Sequence, residues 1–199
     1  MKSKSIIGAA LAAIFTVGLT TSCEDMFNIE SNRVVYEYNH DLGTSADSVY
    51  TTTGILQCVR QIADRYVILG EVRGDLVDVN DLTKTSLRNL SEFNFEDENE
   101  YLNIRDYYAV INNCNYALAK MDTTLAHNNE RVMIDEYAAL LGIRAWTYMQ
   151  LVVNYGEVPF YLEPMQSTEQ ILGFDSKNPA NRVTALNLWE KLEDKLQRA

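Results

Sequence analysis

Apolar positions recur at steps of three and four in four stretches of the chain, and each stretch predicts an amphipathic helix. Leu56, Val59, Ile62 or Ala63, Tyr66 and Leu69 mark the first, over about 46–69, with Ser45 or Asp47 available as its cap. Tyr101, Ile104, Tyr108, Ile111, Asn115 and Leu118 mark the second, and the acidic run Glu96–Glu100 precedes it where a helix dipole favours negative charge. Ala138, Leu141, Ala145, Tyr148, Val152 and Tyr155 mark the third, over about 130–155. Gly156 stops that helix, and Glu157-Val158-Pro159-Phe160 leaves it extended, because the residue before a proline is pushed out of the helical region. Ala185, Trp189, Leu192 and Leu196 mark a fourth helix, which shows no stop signal before the last residue.

Between these helices the periodicity disappears. Segment 72–92 is rich in Asp, Asn, Ser and Thr and reads as a long irregular loop, which in a compact domain calls for a functional reason. The connection 121–129 is short, so the second and third helices are expected to pack antiparallel. Segment 156–181 holds all three prolines and reads as irregular. Asn115 interrupts an apolar stripe, and its simplest role is a core amide bonded to neighbouring backbone. The fold class expected is all-α, helical hairpins with long irregular loops.

Composition narrows the function. The 199 residues carry a net charge of −11, and no cluster of Lys and Arg exists to neutralise phosphates, so no nucleic-acid partner is expected. The 12 Tyr and two Trp supply stacking faces for sugars as well as core volume.

The first 22 residues read as a targeting segment. Lys2 and Lys4 precede a largely apolar run, Ile6 to Leu19, too short to span a bilayer, which takes about 20 residues. Leu19-Thr-Thr-Ser-Cys23 resembles a bacterial lipobox, which makes Cys23 the lipidation site and new N-terminus, with acyl chains anchoring the protein to a membrane. Glu24-Asp25 resembles the surface-export signal of lipoproteins from the Bacteroidetes group. Residues 1–22 are then a lipoprotein signal peptide, 23–45 a lipidated tether, and 46–199 the helical domain. Cys58 and Cys114 fall at apolar helical positions and are expected to be free thiols.

Catalytic patterns are missing. The two histidines, His40 and His127, have no second ligand at a helical offset, and no HExxH, CxxC, GxSxG or GxGxxG pattern occurs. No pair of carboxylates is singled out by spacing. The expectation is a non-enzyme without metal or cofactor.

The stretch Ile143-Arg-Ala-Trp-Thr-Tyr-Met-Gln-Leu-Val-Val-Asn-Tyr-Gly-Glu-Val-Pro159 resembles the signature helix of the SusD/RagB family. Tyr107-Tyr108-Ala-Val-Ile111-Asn-Asn-Cys114-Asn115, the helix from Arg182 through Trp189 to Leu196, and the lipobox resemble other parts of that family. The chain departs from the pattern at Met149, where an aromatic is usual, and at Ala139, where many members carry Glu. The resemblance implies tetratricopeptide-like hairpins in a right-handed superhelix, an outer-membrane location facing the cell surface, and a TonB-dependent (SusC-like) transporter as partner. It implies a glycan or oligosaccharide ligand. Members of the family are longer, so the chain is expected to be an N-terminal part, incomplete at its C-terminus. The alternative is a lipid-anchored helical-repeat adaptor that binds protein only.

For ligand contact the candidates are Arg73, Asp75, Asp78, Asn80, Arg88 and Phe93, polar groups beside an aromatic in the long loop. An equally simple reading is a solvated loop held by local turn bonds. Tyr148 and Tyr155 fall on the buried stripe and are expected to hold hairpins together, with Trp146 covering a neighbouring helix.

Overall fold

The computed structural model describes residues 42–74, 76–96, 98–127 and 130–196. The signal peptide, Cys23, Glu24-Asp25 and His40 lie outside the described residues, as does Asp75. The first helix, α1 (Ser45–Glu71), starts at a capping box: Thr44 is the N-cap, its hydroxyl accepts from the Asp47 N–H, and the Asp47 carboxylate accepts from Thr44. The cap is therefore Thr44, not Ser45 or Asp47, although Asp47 closes the box. Ser48, Thr52, Ile55, Ile62 and Leu69 form its buried face. Leu56, expected on that face, is exposed, because Ile55 takes the inward position.

The segment after α1 is not wholly irregular. A short helix, α2 (Thr85–Ser91), buries Leu90 against Leu69 and Val72 in a small second core. It ends in a Schellman motif, with Asn94 N–H donating to Asn89 C=O at 2.7 Å and Phe93 N–H to Leu90 C=O at 3.1 Å. The residue in the left-handed position is Phe93, at φ 58°, where glycine is usual. Glu100–Leu102 is a single 3-10 turn capped by Asn99. The next helix, α3 (Arg105–Lys120), begins only at Arg105, so the acidic run does not sit at its positive end. Glu100 instead pairs with Lys84 at 2.8 Å, bracing α2 against the turn.

Helix α3 buries Tyr107, Val110, Ile111, Cys114, Asn115 and Ala117. Tyr101 and Ile104 precede the helix, and Ile104 is exposed. A two-residue pair, β1 (Ala126–His127) with β2 (Glu130–Arg131), occupies the connection, so α4 (Ile134–Tyr155) starts four residues later than the periodicity suggests. Helices α3 and α4 run antiparallel: Tyr107 meets Tyr155 at one end, Asn115 meets Arg144 midway, and Met121 and Met133 are buried at the other. The buried face of α4 is Leu140, Arg144, Thr147, Tyr148, Leu151 and Val152. Ala138 is exposed, so the stripe is rotated in the first half of the helix and brings Arg144 inward. Trp146 meets Tyr66 of α1 edge-on, with centroids 5.0 Å apart. Arg65 of α1 pairs with Asp106 of α3 at 2.6 Å. These three helices share one core, in which Cys114 and Cys58 are free thiols, the first buried and the second half-buried.

Gly156 caps α4 at φ 77°, ψ −124°, a conformation that needs glycine. The chain then reverses into β3 (Val158–Pro159), paired antiparallel with β4 (Arg182–Val183). Between them lies a helix missed in the periodicity, α5 (Thr168–Gly173), opened by a capping box of Ser167 and Gln170. The last helix, α6 (Leu188–Leu196), buries Leu188 and Leu192 against the core. Trp189, assigned to its inner face by spacing, is 71% exposed, and Ala185 precedes the helix. Among the described residues the architecture is helical apart from the two short strand pairs and an isolated bridge between Leu42 and Met121.

Candidate functional site

The residues after Gly156 form an extended strap, 157–166, which has a strand partner only at its start. Beyond Phe160, whose N–H donates to Asn181 C=O at 2.8 Å, side chains from α3 and α4 take over the role of a neighbouring strand. Tyr108 O–H donates to Pro159 C=O at 2.8 Å. Tyr148 O–H donates to Tyr161 C=O at 2.7 Å and its oxygen accepts from Tyr161 N–H at 3.1 Å. Asn112 grips Met165 from both sides, its amide donating to the C=O at 3.0 Å and its oxygen accepting from the N–H at 2.7 Å. Asn115 donates to Tyr161 C=O at 3.3 Å and, more weakly, to Glu163 C=O at 3.5 Å. Arg144 orients that amide by donating to its oxygen at 2.9 Å. A buried amide in an apolar stripe is thus satisfied by backbone, as its position in the sequence suggested.

The strap places Tyr161 over Tyr108, stacked at 5.9 Å and nearly parallel, and against Phe174, edge-on at 5.6 Å. Ala109, Asn112, Pro159, Met165, Ile171, Ser176 and Arg105 complete an open groove of about 590 Å³. That volume lies in the range of small-molecule sites, roughly 300–1,000 Å³. Burial holds the Tyr161 phenol up at about 12 and pushes that of Tyr108 higher still, so both rings stay neutral. The groove offers flat aromatic faces, the hydroxyls of Ser176 and Tyr161, and one guanidinium, the Tyr108 hydroxyl being spent on Pro159. It has no nucleophile with a base, and among the described residues no group of three or more His, Cys, Asp and Glu could hold a metal.

Of the six loop residues picked from the sequence, Asp75 lies outside the described residues and the other five do not line this groove. Arg73 donates to Leu69 C=O and to Asn154, and it lines a smaller hollow of about 300 Å³ with Phe95, Glu96, Leu102 and Tyr155. Asp78 accepts from Val79 N–H, and Asn80 closes a turn with Leu82 and Thr83. Arg88 donates to Asn80 C=O at 2.9 Å, tying α2 to that turn. Phe93 is 62% exposed and meets Phe95 edge-on at 6.2 Å. Apart from the Arg73 bond to Asn154 of α4, these are the local bonds of a self-supporting loop. The groove itself drew no attention because Phe174 and Ile171 fall in the proline-bearing segment; the Ser-x-x-Gln pattern at Ser167 was the available sign of a helix there.

Among the described residues no helix is long and apolar enough to cross a membrane. No family model, no curated protein and no solved structure matches the chain.

Proposed function

We propose that the protein is a lipid-anchored, cell-surface nutrient-binding protein. It captures a glycan or oligosaccharide and hands it to a TonB-dependent, SusC-like outer-membrane transporter. In this reading the α3–α4 pair and α1 are tetratricopeptide-like elements of a right-handed superhelix, and Cys23 carries the lipid. The resemblance of the Arg144–Pro159 stretch to SusD/RagB proteins supports it. The observation that carries it is the groove, whose Tyr108, Tyr161 and Phe174 rings offer the flat apolar faces on which sugar rings stack.

The test is calorimetric titration of the full chain with a panel of oligosaccharides, repeated on Tyr161→Ala and Phe174→Ala. Each variant should bind a recognised glycan about fivefold more weakly, the equivalent of about 1 kcal/mol of lost ring contact. Absence of binding across the panel, or unchanged affinity in both variants, refutes the reading. Labelling with an acyl-chain analogue, lost in Cys23→Ser, tests the anchor.

A second reading, an adaptor that binds protein only, draws on the loop between α1 and α3. Leu76, Val77, Leu82, Phe93 and Phe95 are all exposed there, and Phe93 is held in a left-handed conformation costly for a bulky residue. Copurification with a transporter that survives Tyr161→Ala but fails in Phe93→Ala, with no glycan affinity, favours it.

A further inference from the structure

We infer that the groove selects an acidic sugar, a hexuronate-type ring whose carboxylate pairs with Arg105; this rests on reading the groove as a glycan site. The chain has 28 Asp and Glu against 17 Lys and Arg, so a random surface hollow is expected to present carboxylates. The groove presents none. Its ten lining residues include one charged side chain, Arg105, and that charge is positive.

Nearby cations are already engaged. Arg182 pairs with the Glu157 carboxylate at 3.2 Å and donates to the carbonyls of Ser176 and Glu157 at 2.8 and 2.9 Å. Lys191 donates to the carbonyls of Ala180 and Arg182 and lies 5.5 Å from the centroid of the Phe160 ring. Arg65 holds Asp106, the acidic neighbour of Arg105, at 2.6 Å. The Asp175 carboxylate accepts from Lys177 N–H at 3.0 Å, closing its own turn. Among the described residues the Arg105 guanidinium makes no hydrogen bond or ion pair. It does not serve its own helix either, since a cation in the first turn of α3 opposes the helix dipole.

The remaining groups fit the same ligand. A planar guanidinium matches a carboxylate through two parallel hydrogen bonds. The ring face of the sugar has Tyr161 and Phe174 to stack on, and the Ser176 hydroxyl is available to its hydroxyls. The Asn112 amide is spent on Met165 and the Tyr108 hydroxyl on Pro159, so Arg105, Ser176 and the Tyr161 hydroxyl carry the polar recognition.

The experiment titrates the full chain with a galacturonate oligosaccharide and with its carboxyl-reduced counterpart, which keeps the chain length and loses the charge. The acidic form should bind about fivefold more tightly, as expected for a partly exposed ion pair. Arg105→Gln, checked for native helix content by circular dichroism, should erase the difference, and Tyr161→Ala should weaken both forms. Raising the salt should narrow the gap. Equal affinity for the two forms overturns the inference and leaves glycan binding standing, as does a preference that persists in Arg105→Gln. Failure of both oligosaccharides and of every neutral glycan overturns the inference together with the reading beneath it.

Discussion

Replacing Tyr148 by Phe isolates one hydroxyl that holds the strap. The ring of Tyr148 is fully buried and packs 4.8 Å from that of Phe160, a contact the variant keeps. What is lost is the donor to Tyr161 C=O and the acceptor for Tyr161 N–H. The carbonyl retains Asn115, but the N–H is left without a partner in a half-buried position. One lost hydrogen bond costs about 1 kcal/mol and a bare buried N–H about 1–3 kcal/mol. Removing the need to bury a hydroxyl offsets part of this, leaving a net loss of about 2 kcal/mol. For a chain of this length that lowers the melting midpoint by roughly 4–8 °C. Thermal unfolding followed by circular dichroism, with a urea titration beside it, measures the change. Because Tyr108 grips the same strap at Pro159, Tyr108→Phe should show coupling to Tyr148→Phe in a double-mutant cycle. An unchanged midpoint in Tyr148→Phe, or strict additivity in the cycle, refutes the idea that side chains stand in for a strand here.

Four further outcomes follow from the same physics. Gly156→Ala should destabilise by about 1–3 kcal/mol in a urea melt, from backbone strain alone, since a Cβ there meets no atom within 4 Å. Phe93→Gly should raise stability by about 1 kcal/mol in the same melt, since the Schellman position at φ 58° favours glycine. Burial pushes the Cys114 thiol up to about 12, so at mildly alkaline pH mass spectrometry should find it unlabelled by a thiol reagent until the protein unfolds. Burial also raises Tyr155 and Tyr161 to about 12, while the unfolded chain loses such protons near pH 10. The folded state then binds more protons, so stability is kept below pH ~10 and falls as pH rises through the folded values, a trend that urea midpoints against pH can read.

The helices with a single dominant face were legible in the sequence, and those defined by their ends were not. The third was placed by Tyr148 and Val152 and its stop by Gly156, yet its first half was misaligned. Spacing treated Ala138 as apolar and Arg144 as polar, whereas burial depends on reach and partners, and Arg144 has Asn115 to meet inside. Helix α2 was invisible because it has no side-chain cap and carries phenylalanine where a glycine would have announced the stop. Two-residue strand pairs such as Glu130–Arg131 with Ala126–His127 leave no period to read, which is why α4 was started early. The candidate groove required tertiary knowledge, since Arg105, Tyr161 and Phe174 come from three segments that only the strap brings together. Asn115 was the exception: a polar residue in an apolar stripe must find a partner, and the partner is the strap.

Gripping backbone by side chains also separates two jobs that a β-ladder or a helix usually combines. Tyr108, Tyr148, Asn112 and Asn115 hold main-chain atoms of Pro159, Tyr161, Glu163 and Met165, and they are indifferent to which side chains those positions carry. The wall of the groove can therefore exchange its facing residues while its path stays constant. If the groove is the glycan site proposed above, a new specificity is reachable by single substitutions in the strap, without a compensating change in the helices beneath.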